Sequence, residues 1–291
     1  MTASGRYDLY MAKLDADVMD QVLSSGVTPN VQSERVTPVG NMDPSGTLLF
    51  GDSPGIRFVS TKVNTILTAL GSQGALASSQ FDLGFIQKTV GGGYEATGKT
   101  VTAAKALVFP ESLVVTQDSK AQLTVMAMAY SSDGTTHPFA SSTSLVSGTP
   151  EATEFFTLGA VTIDGSPISK VNGYTINFGI NAQTLKTGGN LYPTDAIVES
   201  PVMPAIEVQV SDLAAVTDAN LVGREVDNVV LNLKKLDVDG SGLASSGHKT
   251  FTLAKAMLTI GGASGSFPGE AGATINFAPR SDSGAAVIAI A

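Results

Sequence analysis

The chain has 291 residues, of which 43% are hydrophobic and only 15% charged, with a net charge of −9 and no cysteine. The missing thiols exclude disulfides, thiolate metal sites and thiol nucleophiles, and an acidic balance without a basic run argues against gripping nucleic acid by phosphate neutralisation. No stretch nears the roughly 18 continuous apolar residues of a membrane-crossing helix, and the opening "MTASGRYDLYMAKLD" has no apolar core after its charges, so no secretion signal is expected and synthesis in a cytosol is.

A chain of this length suggests two domains of roughly 150 residues, each able to bury its own core. Residues 1–150 hold 12 acidic and 9 basic side chains and residues 151–291 hold 14 and 8, so both halves share the negative charge. The charged fraction lies below the roughly 25% usual for soluble domains. Fewer residues then have to face water, which fits a surface largely covered by neighbours.

In chain order, Ala16–Leu23 has two open readings, a short helix or, like "SPISKVNGY" later in the chain, loop and strand. Val63, Ile66, Leu67 and Leu70 recur at the i, i+3, i+4, i+7 spacing of a helix with one buried face. Ser60 or Thr61 can cap its start, and Gly71 suits its left-handed end. "GSQGALASSQ" (Gly71–Gln80) reads as a loop, and "KTVTAAKALVF" as a strand ended by Pro110. In "AQLTVMAMAY" (Ala121–Tyr130) Leu123, Val125, Ala127 and Ala129 share one face, and Thr124, Met126, Met128 and Tyr130 the other. Both faces are fairly apolar, as in a strand covered on two sides.

"SSTSLVSGTPE" (Ser141–Glu151) and "KTGGNLYPTD" (Lys186–Asp195) are further polar, small-residue loops, of the kind that either stay mobile or order against a partner. "GYTINFGINA" (Gly173–Ala182), "VVLNLKKLDV" (Val229–Val238), "KTFTLAKAMLTI" ending at Gly261–Gly262, and "GATINFAPR" (Gly272–Arg280) read as strands. A second, looser helix is expected around Leu213, Val216 and Leu221, capped by Ser211 or Asp212 and closed by Gly223.

The chain repeats itself. "KTVTAAKALV" at Lys99–Val108 and "KTFTLAKAML" at Lys249–Leu258 share six of ten residues. "SSDG" at Ser131 returns as "SDSG" at Ser281, "DSPGIRF" at Asp52 as "ESPVMPAIEV" at Glu199, and "DLYMAKLDAD" near Asp8 as "FTLGAVTIDG" near Phe156. Weak matches in one order indicate a duplication. Two tandem β-sandwich or barrel-type domains are expected, residues 1–148 and 149–291, each with one flanking helix.

No chemistry stands out. "DVDGSGLASSGH" (Asp237–His248) half-matches a calcium loop through Asp237, Asp239, Ser241 and Gly242, but His248 stands where a bidentate Glu belongs and the flanks read as strands. A hairpin turn is the simpler reading, and the sequence leaves open whether the Asp237/Asp239 turn binds calcium. "TVGGGYEATGKT" ends in Gly-Lys-Thr like a phosphate loop, but a strand follows where the phosphate would need a helix N-terminus. The two histidines, His137 and His248, lie in turn-like surroundings, and no G-x-S-x-G elbow accompanies them. No catalytic, cofactor-binding or metal-binding residues are expected, and the chain is read as no enzyme.

A duplicated β protein without chemistry binds something or builds something. Similar but non-identical halves can alternate in a closed ring, and sheets joined edge to edge remove open edges. In each half the Ser-Pro segment (Ser53–Pro54, Ser200–Pro201), the helix closing at Gly71 or Gly223, the K-T-x-T-x-A-K-A strand and the final strand running into Ser-Asp follow one order. In this order the chain resembles the tail tube proteins of long-tailed bacteriophages, in the branch that fuses two tube domains. The resemblance implies that three chains close a ring of six domains, and that rings stack around a lumen through which DNA passes without specific binding. It also implies tape-measure, tail-tip and terminator proteins as partners, no membrane, and a place in the virion after assembly in the host cytoplasm. An acidic lumen repels phosphate, so DNA slides. The alternatives are another virion part of the same fold (tail tip, terminator or decoration) and a carbohydrate- or peptide-binding adhesin module.

Overall fold

A computed structural model describes residues 6–36, 46–51, 54–70, 76–88, 94–148, 154–213, 222–237, 242–265, 271–282 and 287–291. Strands dominate. The first half contains β1 (Arg6–Leu14), β2 (Asp17–Met19), β3 (Val22–Thr28), β4 (Val31–Val36), β5 (Gly46–Gly51), β6 (Gly55–Ser60), helix α1 (Val63–Leu70), β7 (Leu76–Lys88), β8 (Tyr94–Thr116), β9 (Gln122–Ala129) and β10 (Phe139–Ser142). The second contains β11 (Phe155–Ile163), β12 (Ser166–Pro167), β13 (Val171–Asn177), β14 (Asn181–Leu185), β15 (Asp195–Glu199), β16 (Ala205–Val210), β17 (Arg224–Leu236), β18 (Lys249–Gly265), β19 (Ala271–Arg280) and β20 (Ala289–Ile290).

In the first half the antiparallel order is β2-β1-β7-β8-β9-β6-β3, with β10 added to β8. In the second it is β12-β11-β17-β18-β19-β16-β13, with β20 added to β18. Each half also carries a separate hairpin, β4–β5 and β14–β15. The registers agree as well. Ala106 faces Ala129, and 150 positions later Ala256 faces Pro279. Ile56 faces Ala127, and Ile206 faces Phe277. A bulge falls between Pro110 and Ser112 in one half and between Ile260 and Gly262 in the other. Asp15 and Asp164, after β1 and β11, both adopt positive φ, 49° and 51°. This is a conformation that Asp tolerates because its short side chain can bond locally.

The two series meet where Ser112–Asn177 and Thr116–Gly173 bound a ladder between the end of β8 and β13, giving one sheet of 16 strands among the described residues. Side chains alternate across a strand, so directly opposed residues form rows on one face. One row runs Leu123–Leu113–Ile176–Ile206–Phe277 across five strands of both halves, every member buried. The next row, Gln122–Val114–Thr175–Glu207–Asn276, lies on the opposite face and is mainly polar. The sheet also folds over itself. Phe58 on β6 and Phe81 on β7 are not ladder neighbours, yet their rings stack at 5.2 Å, so the core lies between layers.

Helix α1 has the expected spacing, with Val63, Ile66, Leu67 and Leu70 all buried. Eight residues are too few for a helix to persist alone in water, so this packing holds it. The hydroxyl of Ser60 accepts the Lys62 amide (3.0 Å), as expected of a cap. Both faces of β9 are covered, since Leu123, Thr124 and Val125 are all buried.

Of the two readings of Ala16–Leu23, loop and strand holds: the segment spans β2 and the start of β3, with Met19 opposite Ala12 in the core as the β1–β2 hairpin closes. Two expectations need correction. The strands read as ending at Pro110 and at Gly261–Gly262 run on, through bulges, to Thr116 and Gly265. Residues 76–80, read as loop, begin β7, whose Phe81 and Leu83 carry the strand into the core. The second helix falls mostly on residues 214–221, and the Gly-rich turn on residues 89–93; both lie outside the described residues.

Candidate assembly interface

The candidate site is the joint between the halves. Beyond the β8–β13 ladder, Gln117 N–H donates to Asn172 C=O (2.8 Å), Ala121 N–H to Phe156 C=O (2.8 Å) and Phe178 N–H to Glu111 C=O (3.1 Å). Lys120 Nζ sits 4.1 Å from the centroid of the Phe155 ring. Glu154, at the start of the second half, accepts the Asn64 amide (2.5 Å) and the Thr65 amide (3.4 Å) of α1. A carboxylate there satisfies otherwise orphaned amides and complements the positive end of the helix dipole. Tyr174 is buried in the joint and donates its hydroxyl to Asn232 C=O (3.1 Å). Burial pushes this phenol well above its ordinary pKa, so it remains a neutral donor.

A second contact lies at the tip of the β14–β15 hairpin. The Leu191 and Tyr192 amides donate to Gly134 C=O (2.8 and 2.9 Å), and the Ser131 amide donates to Pro193 C=O (2.7 Å). Gly134 has φ +74°, and an added Cβ would lie 2.3 Å from Asn190 Cγ. Both facts require glycine here. Asp133 organises the facing turn. It accepts the Thr136 amide (2.8 Å), the Thr135 amide (2.9 Å), the Thr136 hydroxyl (2.8 Å) and the Ser131 hydroxyl (2.9 Å). The Thr136 and Thr135 amides, followed by the two hydroxyls, hold its carboxyl well below the usual carboxylate range. A depressed folded value means the stabilisation is present above the unfolded value and is lost as pH falls through the folded one. Below pH about 4, the melting temperature of the wild type is expected to fall more steeply than that of Asp133→Asn. Parallel curves by scanning calorimetry would contradict this.

The described parts of the candidate segments bind local backbone. His137 Nδ1 accepts the Phe139 amide (3.0 Å), and its ring meets Tyr192 edge-on at 5.1 Å. His248 Nδ1 accepts the Lys235 amide (3.1 Å). In both rings it is Nδ1 that accepts a backbone amide. Around Asp237 the Asp237 amide donates to Gly242 C=O (2.9 Å) and the Ala244 amide to Lys235 C=O (3.0 Å), which is a hairpin closure; Asp239 and Ser241 lie outside the described residues. Among the described residues no group of three or more His, Asp or Glu converges as a metal site. Thr97–Thr100, the end of the glycine-lysine-threonine segment, runs as β8 strand.

Sequence reasoning missed the contact of Glu154 with α1 and the pairing of Gly134 with the Tyr192–Pro193 loop. The one available signal was Tyr192 itself, a large ring in an otherwise small and polar loop. Compared with known proteins, the sequence matches no family model and no curated protein.

Proposed function

We propose that the chain is a ring-forming structural subunit made of one sheet unit used twice (residues 1–148 and 149–291). Its best reading is the major tail tube protein of a long-tailed bacteriophage. Three chains close a ring of six units, and rings stack around a bore that conducts DNA. The observation that carries this is the joint. One unit already binds the other edge to edge, and among the described residues the corresponding edges, β3 of the first unit and the Gly262–Gly265 end of β18 of the second, are paired on one side only. A heterologous contact of this kind repeats until it closes or forms a filament.

The polar face of the sheet supports a non-adhesive wall. Its row of Gln122, Thr175, Glu207 and Asn276 offers phosphate no cation. Arg57, on the same face as its counterpart Glu207, is held in two parallel bonds by Glu111 (2.6 and 3.0 Å). A wall of this type, on a chain of net charge −9, lets DNA pass without counterion release to bind it.

The test is the mass of the purified protein in solution. Mass photometry is expected to give particles near 89 kDa, three times the 29.7 kDa chain, and multiples of that mass as rings stack. A single 29.7 kDa species at every concentration would overturn the proposal.

A further inference from the structure

We propose that β3 of one chain adds antiparallel to the Gly262–Gly265 end of β18 of a second copy. The register is Ser25 opposite Gly265, Gly26 opposite Ser264, Val27 opposite Ala263 and Thr28 opposite Gly262. This seam specifies the contact that the ring reading requires, and it rests on that reading for the identity of the partner.

The register follows from the joint inside the chain. There β13 pairs with the end of β8 as Tyr174–Val115, Thr175–Val114, Ile176–Leu113 and Asn177–Ser112. The strand β3 holds the place of β13: Gly26 faces Arg57 on β6 as Thr175 faces Glu207 on β16. The end of β18 holds the place of the end of β8: Ser264 faces Gly272 on β19 as Val114 faces Gln122 on β9. Transferring the four pairs by these equivalences gives the proposed register without free choice.

Burial differs between the two sites as an unfilled joint requires. Leu113 and Val115 are fully buried, while Ala263 and Gly265 in the same sheet positions are exposed. Tyr174 and Ile176 are buried, whereas Ser25 and Val27 are only partly so. Phe156, whose carbonyl binds across the joint, is 1% exposed, and its counterpart Tyr7 is 44% exposed. Beside this edge, a shallow concavity over β16, β19 and the end of β18 is lined by Val210, Ala263, Ser264 and Ala273.

The chemistry of the seam also continues the sheet. In the proposed register the apolar row would run Ala273–Ala263–Val27–Ile56–Ala127, matching Leu123–Leu113–Ile176–Ile206–Phe277 at the joint. Seam side chains are smaller than those of the joint. An edge built from small residues exposes little apolar surface before assembly, which limits wrong pairings of a free strand edge. The small residues of Gly261–Gly265 leave room for a partner backbone, and an added Cβ at Gly262 or Gly26 meets nothing within 4 Å.

The chain has no cysteine, so engineered thiols report only on themselves. Gly26→Cys combined with Ser264→Cys is expected to give disulfide-linked oligomers under mild oxidation, up to a closed ring. Gly26→Cys with Gly262→Cys, two residues out of register on the same face, is expected to cross-link on the order of tenfold less, because diagonal Cβ atoms roughly 7–8 Å apart exceed the roughly 3.5–4.5 Å a disulfide spans. Reduced samples imaged in parallel check that each variant still assembles. Rings that form without the first cross-link, or that favour the second, would overturn the seam and leave the ring reading standing. Folded monomers with neither rings nor cross-links would overturn both.

Discussion

Ile176→Asp is expected to unfold the chain, whereas Val27→Asp leaves it folded and abolishes rings. The two positions are equivalent in the sheet, one strand in from Ile206 and Ile56 respectively. Ile176 is fully buried between Leu113 and Ile206. Removing a buried aliphatic side chain costs about 2–5 kcal/mol, and an unpaired carboxylate in the same place adds a desolvation cost of several kcal/mol more. The sum rivals the roughly 5–15 kcal/mol that holds a domain together. Val27 is only partly buried, packed against the core from an edge strand, so Asp there stays partly hydrated in the single chain, with an expected destabilisation of about 1–3 kcal/mol, well below that at Ile176. In an assembled seam the same carboxylate would face Ala263 and be buried without a partner. Circular dichroism and mass photometry separate the outcomes. Equal effects of both substitutions on folding would contradict the proposed equivalence.

Asp20→Ala is expected to destabilise the protein by about 3–5 kcal/mol, the usual loss when one member of a buried ion pair is removed. Asp20 and Lys62 meet at 2.7 Å, with their side chains 1% and 14% exposed. The pair ties the β2–β3 link to the start of α1, beside a hydrogen bond from the Thr61 hydroxyl to Gln21 (2.9 Å). Most of the loss comes from stranding the ammonium rather than from the attraction itself. The double variant Asp20→Leu/Lys62→Met is therefore expected to recover most of the stability. Denaturant unfolding of the three proteins measures this, and a single variant within about 1 kcal/mol of wild type would show the pair to be solvated. The ion cluster of Lys255, Glu225, Arg280 and Asp282 contrasts with it: all four side chains are well exposed, so each pair contributes little.

The strand content was legible in the sequence because it leaves local traces. Alternation in Ala121–Tyr130 and the four apolar residues of Val63–Leu70 state their own periods, and the two lysine-threonine segments both lie in long strands, β8 and β18. Ala16–Leu23 stayed open between helix and strand because a short hairpin supplies too few residues to distinguish the two periods, and the burial of Met19 in the core goes with the strand form. The joint was not legible. Its partners are distant in sequence, as with Val114 and Thr175 or Gly134 and Tyr192, and no single segment carries a mark of what lies across from it. Strand pairing fixes registers only once the whole sheet is laid out, and the edges of β3 and β18, paired on one side only among the described residues, show themselves only against the filled joint.

The most direct test of the central claim, one sheet unit used twice around a bore, is end-on cryo-electron microscopy of the assembled protein. The expected image is a ring of six lobes around an open centre, with alternate lobes distinguishable, so that the true symmetry is threefold. A compact solitary particle, or a ring in which each chain contributes a single lobe, would contradict it.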